Sequence, residues 1–127
     1  MTTRSPPEEQ RSRLIFKIVA RHVWEDACKG GAFEGSDDDV RDKYIHLSAT
    51  HQLAGTAAKH FRGQSGLLLA AFDSAALGPA LKWEPSRGGD LFPHFYAPLP
   101  TAAALWTKAL PLGDDGVPRL PGDLDEC

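Results

Sequence analysis

The chain has 127 residues, 42% of them apolar and 24% charged, with a net charge of -3 and a pI near 5.9. That length and composition predict one domain with a real core and leave no room for a separate cofactor-binding lobe. Lysine and arginine are scattered with no basic stripe, which argues against a nucleic-acid partner, and no apolar run approaches the roughly 20 residues that span a bilayer.

The N-terminal residues 1–13 are polar and contain prolines, and they read as a flexible tail with no hydrophobic secretory segment. A cytoplasmic protein is expected. Cys28 and Cys127 form no CxxC pair, which suits a reducing compartment.

Leu14 to Ala20 is apolar on both alternating faces, as an interior strand should be, with Lys17 as its one exception. Arg21 to Gly30 carries Val23, Trp24, Ala27 and Cys28 at helical spacing before a Gly30-Gly31 stop. Cys28 then falls on the apolar stripe, where a buried, inert thiol is expected. Gly35 to Asp39 reads as an acidic loop, and Tyr44 to Ser48 as a short strand with Tyr44, His46 and Ser48 on one face and Ile45 and Leu47 on the other. Leu53, Ala54, Ala57, Ala58 and Phe61 repeat at three and four, predicting an amphipathic helix begun near Ser48 or Thr50 and ended by Gly63.

Leu67 to Phe72, closed by Asp73, predicts a buried strand, and Ser74 to Gly78 a turn of helix. Leu81 to Glu84, His94 to Ala97 and Leu105 to Leu110 read as further strands between Pro- and Gly-rich turns. Trp24, Trp83, Trp106 and Phe92 are expected in the core, and residues 113–127 as a second flexible tail. The expected fold class is α+β, a single domain over residues 14–112 with a mixed, largely antiparallel sheet and two main helices. No GxGxxG or P-loop occurs.

Two fragments carry the chemistry. His46 can act as acid, base or donor near neutral pH, or can simply bond the backbone. Ser48 beside it reads as a helix N-cap before a nucleophile, since no nucleophile elbow surrounds it. The stretch from Trp83 to Tyr96 holds a carboxylate, a guanidinium, an imidazole and a phenol around Gly88-Gly89. Glu84 can stabilise developing positive charge or orient a sugar hydroxyl, or pair with Arg87 or Lys82. Arg87 beside Gly88 and Gly89 suits an anion, because glycines let backbone amides approach and guanidinium binds phosphate bidentately. His94 and Tyr96 share a strand face that can hold an aromatic ring or cap the core. If the two fragments meet, they line a polar cleft for a small molecule. His22, His46, His51, His60 and His94 show no HxH, HxxxH or HExxH spacing, so no metal site is expected.

The stretches Ile15 to Ile18 followed by Trp24, Tyr44 to Ser48, His60-Phe61, Leu81 to Gly89 and Phe92 to Leu99 resemble the domain-of-unknown-function 952 family, small bacterial proteins, over Leu14 to Leu112. That family is similar in turn to the ADP-ribosyltransferase-like superfamily, including the RNA 2′-phosphotransferases. The superfamily's His-Leu-Ser strand, following helix and aliphatic strand ending in Asp match His46 to Ser48, Thr50 to Phe61 and Leu67 to Asp73. This resemblance implies an ADP-ribosyltransferase-like fold and makes NAD the candidate cofactor. The superfamily's first motif, a strand His that holds the NAD ribose, falls on Ile15 to Ile18, where Lys17 stands instead, a departure that counts against ordinary NAD-dependent transfer.

The expectation is an enzyme, or its non-catalytic relative, acting on a nucleotide-like or phosphorylated small molecule. His46 and Glu84 are the candidate catalytic residues, and Ser48, Arg87, Gly88, Gly89, His94 and Tyr96 the candidate ligand-binding ones. A monomer is compatible with this reading.

Overall fold

A computed structural model describes residues 14–86 and 89–122. Its centre is a pair of long strands, β1 (Leu14–Ala20) and β5 (Leu67–Asp73), antiparallel along their full length from Leu14 opposite Asp73 to Ala20 opposite Leu67. Both strands are apolar on both faces, so both faces must be covered. On one, Ile15, Val19, Leu68, Ala70 and Phe72 join Trp24 of α1 (Arg21–Gly30) and Phe33 of β2 (Ala32–Phe33). On the other, Leu14, Phe16, Ile18, Leu67, Leu69 and Ala71 meet Leu53 and Ala57.

The helix α1 ends where expected: Gly31 adopts φ 91° and its N–H donates to Ala27 O, a left-handed cap that suits glycine. After it, the acidic segment expected as a loop is instead the helix α2 (Asp37–Asp42). Ser36 and Asp39 form the reason, since the Ser36 backbone N–H donates to Asp39 Oδ2 across 3.0 Å in a capping box. Three aspartates in the first turn also suit the positive helix end.

The expected strand from Tyr44 to Ser48 is broken at Leu47 into β3 (Ile45–His46) and β4 (Ser48–Ala49). The two halves serve different sheets, β4 pairing with β1 and β3 with β7 (Leu91–Phe95). A single 3₁₀ turn (Thr50–Gln52) then leads into α3 (Leu53–His60). After β5 come α4 (Ser74–Leu77), β6 (Leu81–Pro85), β7, β8 (Leu99–Pro100) and β9 (Trp106–Leu110).

The architecture is α+β, but the expected single mixed sheet becomes three, ordered β4-β1-β5-β9, β3-β7-β6 and β2-β8, with every described pairing antiparallel. Two short helices, α2 and α4, join the two main ones.

Four further expectations are corrected. Cys28 is exposed: the core takes Trp24 with Val23 and Ala27 from α1, and the last turn that carries Cys28 is left uncovered. Trp83 is 37% exposed, on the edge strand β6, where only Leu81 packs against the core. Trp106 is only partly buried, packing on the core through Phe16 with Lys108 over its ring at 4.4 Å. Residues 113–122, expected within a loose tail, fold back: Val117 and Leu120 pack on the core, Gly113 N–H donates to Val117 O and Gly63 N–H to Gly116 O. Among the described residues no helix is long and apolar enough to cross a membrane.

Candidate functional site

Lys17 is the charge that the apolar strand could not explain, and its environment opens the site. Alternation turns it to the same side of β1 as Ile15 and Val19, where it is 6% exposed. Its ammonium lies 2.9 Å from Asp39 Oδ2 and donates to the His46 carbonyl at 3.0 Å. Burial pulls the Lys17 ammonium below its usual pKa, with Asp39 opposing.

Asp39 accepts from four groups. Besides Lys17 and the Ser36 N–H, it takes the His46 backbone N–H at 3.0 Å and faces His46 Nδ1 at 2.6 Å. Burial by itself would raise this carboxyl, but the His46 ring and the Lys17 charge outweigh it and hold Asp39 well below the ordinary range. An ionised carboxylate only accepts, so Nδ1 of His46 carries the hydrogen. Its other nitrogen, Nε2, lies 3.0 Å from Asp42 Oδ2. Both ring nitrogens of His46 are therefore engaged by aspartates of one helix, α2.

The second imidazole stands directly opposite. In the β3–β7 ladder His46 pairs with His94, their ring centroids 5.7 Å apart. His94 is 3% exposed, and its Nδ1 lies 2.7 Å from Glu84 Oε1. The Tyr96 hydroxyl donates to that same oxygen at 2.8 Å. First the His94 bond and then the Tyr96 bond hold Glu84 below the usual carboxylate range, while Glu84 in turn pushes Tyr96 up to about 12. Tyr44 covers this cluster, stacked on His94 at 4.1 Å between centroids and tilted against His46 and Tyr96 at 4.7 and 5.2 Å.

These groups border a cleft of about 270 Å³, near the small end of the roughly 300–1,000 Å³ typical of small-molecule sites. Its walls come from β1, α2, β3, α3 and β7, with Phe16, Phe61 and Phe92 as the apolar lining and Ser48, Thr56 and Ser86 as hydroxyls. Asp38, Arg41 and Asp42 form an ionic rim, Arg41 bonding both acids at 3.1 Å.

Of the residues singled out from sequence, His46, Ser48 and His94 line this cleft. Glu84 and Tyr96 stand behind it, against His94 and Tyr44. Ser48 is not the helix cap: its hydroxyl meets Thr56 Oγ1 at 3.0 Å, and the turn into α3 is closed by Gln52 Oε1 on the Ala49 N–H. Gly89 adopts φ 83° in the turn that begins at Ser86, its N–H donating to Ser86 O at 2.8 Å. Arg87 and Gly88 lie outside the described residues.

None of the elements expected from the sequence covers α2. The signals were present in Ser36-x-x-Asp39, a capping-box spacing, and in Lys17, a buried cation that needed a buried acid. No group of three or more His, Cys, Asp or Glu side chains among the described residues is arranged to hold a metal ion.

Residues 18–107 match the family model described as protein of unknown function (DUF952). The chain belongs to the DUF952 family. The matched span includes Asp39, His46, Glu84, His94 and Tyr96, and begins one residue after Lys17. The fold is similar to the X-ray crystal structure of protein CC0527 from Caulobacter crescentus, with 50% identity and a TM-score of 0.85 over 87% of this chain and 97% of that one. It is also similar to the solution NMR structure of CC0527, with 50% identity and a TM-score of 0.77 over 85% of this chain and 93% of that one. No curated protein matches this DUF952 chain.

Proposed function

We propose that the cleft binds a nucleotide-like or phosphorylated small molecule on an ADP-ribosyltransferase-like fold, in a protein that works in the cytoplasm. One observation carries this reading: two imidazoles, His46 and His94, face each other across paired strands, each backed by a carboxylate, at the edge of one cleft. Convergent titratable groups of this kind in a concave site are what binding and proton-transfer chemistry require. Tyr44 supplies an aromatic surface for a ring, and Arg87 with Gly88 and Gly89 the partner for a phosphate.

A second reading, a non-catalytic binding module, draws on Lys17. At the position where the superfamily carries its ribose-holding His, this chain has an ammonium consumed by Asp39 and the His46 carbonyl. A ligand other than NAD, or binding without turnover, follows from that substitution.

Thermal shift with NAD, ADP-ribose, nucleoside monophosphates and inorganic phosphate separates these readings. Stabilisation by a phosphorylated compound that Arg87→Ala and His94→Ala both weaken supports a ligand site. Product formation from that compound favours the enzyme, and binding without product the module. No shift with any of them removes the proposal.

A further inference from the structure

The two imidazoles of the cleft are held differently. His46 has both nitrogens against carboxylates, Asp39 at 2.6 Å and Asp42 at 3.0 Å. His94 has one nitrogen so held, Nδ1 by Glu84, and no described residue bonds its Nε2. Among the described residues, the side-chain nitrogens and oxygens fully buried without a partner are Thr50 Oγ1 and Trp106 Nε1. His94 is only 3% exposed, and the open space it borders is the cleft.

We propose that His94 is the general acid–base of the cleft, that Glu84 is its positioning carboxylate, and that the reaction is attack of water on a phosphate ester. The inference rests on the reading of the cleft as a site for phosphorylated small molecules. An acceptor-only carboxylate at Nδ1 fixes the tautomer with hydrogen on Nδ1 and a lone pair on Nε2. Tyr44, stacked on the ring, and Tyr96, sharing Glu84 Oε1, fix its plane. Water is the proposed nucleophile, since the Ser48 hydroxyl in the cleft is bonded to Thr56 Oγ1 and has no described base against it.

Nε2 takes a proton from water as the water oxygen bonds to phosphorus. The phosphorus–oxygen bond to the leaving group breaks with its electron pair on that oxygen. The imidazolium then returns the proton to the leaving oxygen, and His94 ends as it began.

The test has a ligand-free arm and a reaction arm. Long-range ¹H–¹⁵N correlation of the histidine rings in the full chain should find His94 with hydrogen on Nδ1 at neutral pH, and Glu84→Gln should release this into a tautomer mixture. A ring protonated on Nε2 alone overturns the inference. Turnover of bis(4-nitrophenyl) phosphate and 4-nitrophenyl phosphate should fall by about 10²–10⁴-fold in His94→Asn, the usual scale for loss of a general base, with KM little changed. Glu84→Gln should retain part of the turnover and displace the acid limb of its pH profile, which a purely structural role would not do. Full turnover in His94→Asn, or no turnover of either ester by the wild-type protein, overturns the acid–base role. The thermal-shift response to phosphate is read separately, so loss of this role and loss of the ligand site are distinguishable.

Discussion

Lys17 and Asp39 form an ion pair of 2.9 Å with side-chain exposures of 7% and 1%, linking the central strand to a helix built from an acidic run. The same Asp39 orients His46 through both its backbone N–H and its ring. Core packing and site geometry therefore share one carboxylate.

Removing one partner of this pair strands the other charge in the core. Lys17→Ala and Asp39→Ala should each cost about 3–5 kcal/mol of stability, read from urea unfolding at neutral pH. The double variant should lose less than the sum of the two, because no unpaired charge remains.

Acid should unfold the protein partly through Asp39. Its folded pKa lies below the roughly 3.9 of an unperturbed carboxyl, so in that window the unfolded chain binds more protons and stability rises with pH. The contribution is complete above the unfolded value and is lost as pH falls through the folded one. Urea midpoints from pH 2 to 6 should fall more steeply toward acid in the wild type than in Asp39→Asn; parallel curves would remove Asp39 as the source.

The chain has two tyrosines, which makes their ionisation readable by absorbance. Tyr96 should titrate near 12 because it donates to Glu84, while burial also raises Tyr44. In Glu84→Gln the Tyr96 step should move toward the ordinary value of about 10. An unmoved step would mean that the shared carboxylate does not hold the phenol.

Gln52 is a buried amide with every group engaged: Oε1 accepts from Ala49 N–H, and Nε2 donates to Asp90 Oδ2 at 2.9 Å and Leu91 O at 2.7 Å. Gln52→Ala should cost roughly 1–3 kcal/mol, chiefly by leaving the buried Ala49 N–H without its acceptor. Faster amide exchange at Ala49 than in the wild type would locate the loss; unchanged exchange would place it elsewhere.

Gly35 stands at φ 118°, and a Cβ there would meet the Asp39 Cβ at 2.9 Å. Gly35→Ala should destabilise by roughly 1–3 kcal/mol through backbone strain and also displace Asp39. Ring ¹⁵N shifts of His46 should therefore change in this variant, whereas strain alone would leave them as they are.

Local pattern was enough for the elements whose evidence is continuous along the chain. The doubly apolar runs of β1 and β5 require burial on both faces, and the stripe of α3 requires one covered face, so strand, helix and central position follow from the residues alone. Tyr44, His46 and Ser48 all border the cleft, but so does Leu47 between them, because the segment breaks there and does not run on as one alternating strand. Tertiary structure decided what those groups do. Pairing of β3 with β7 set His46 against His94, and the fold-back of α2 set Asp39 on Lys17; these contacts join residues 48 and 22 positions apart, beyond the reach of periodicity. The break at Leu47, the division into three sheets and the exposure of Trp83 have the same origin. A short segment's hydrogen bonds go to whichever neighbour the rest of the chain brings, and pattern along the sequence carries no record of that choice.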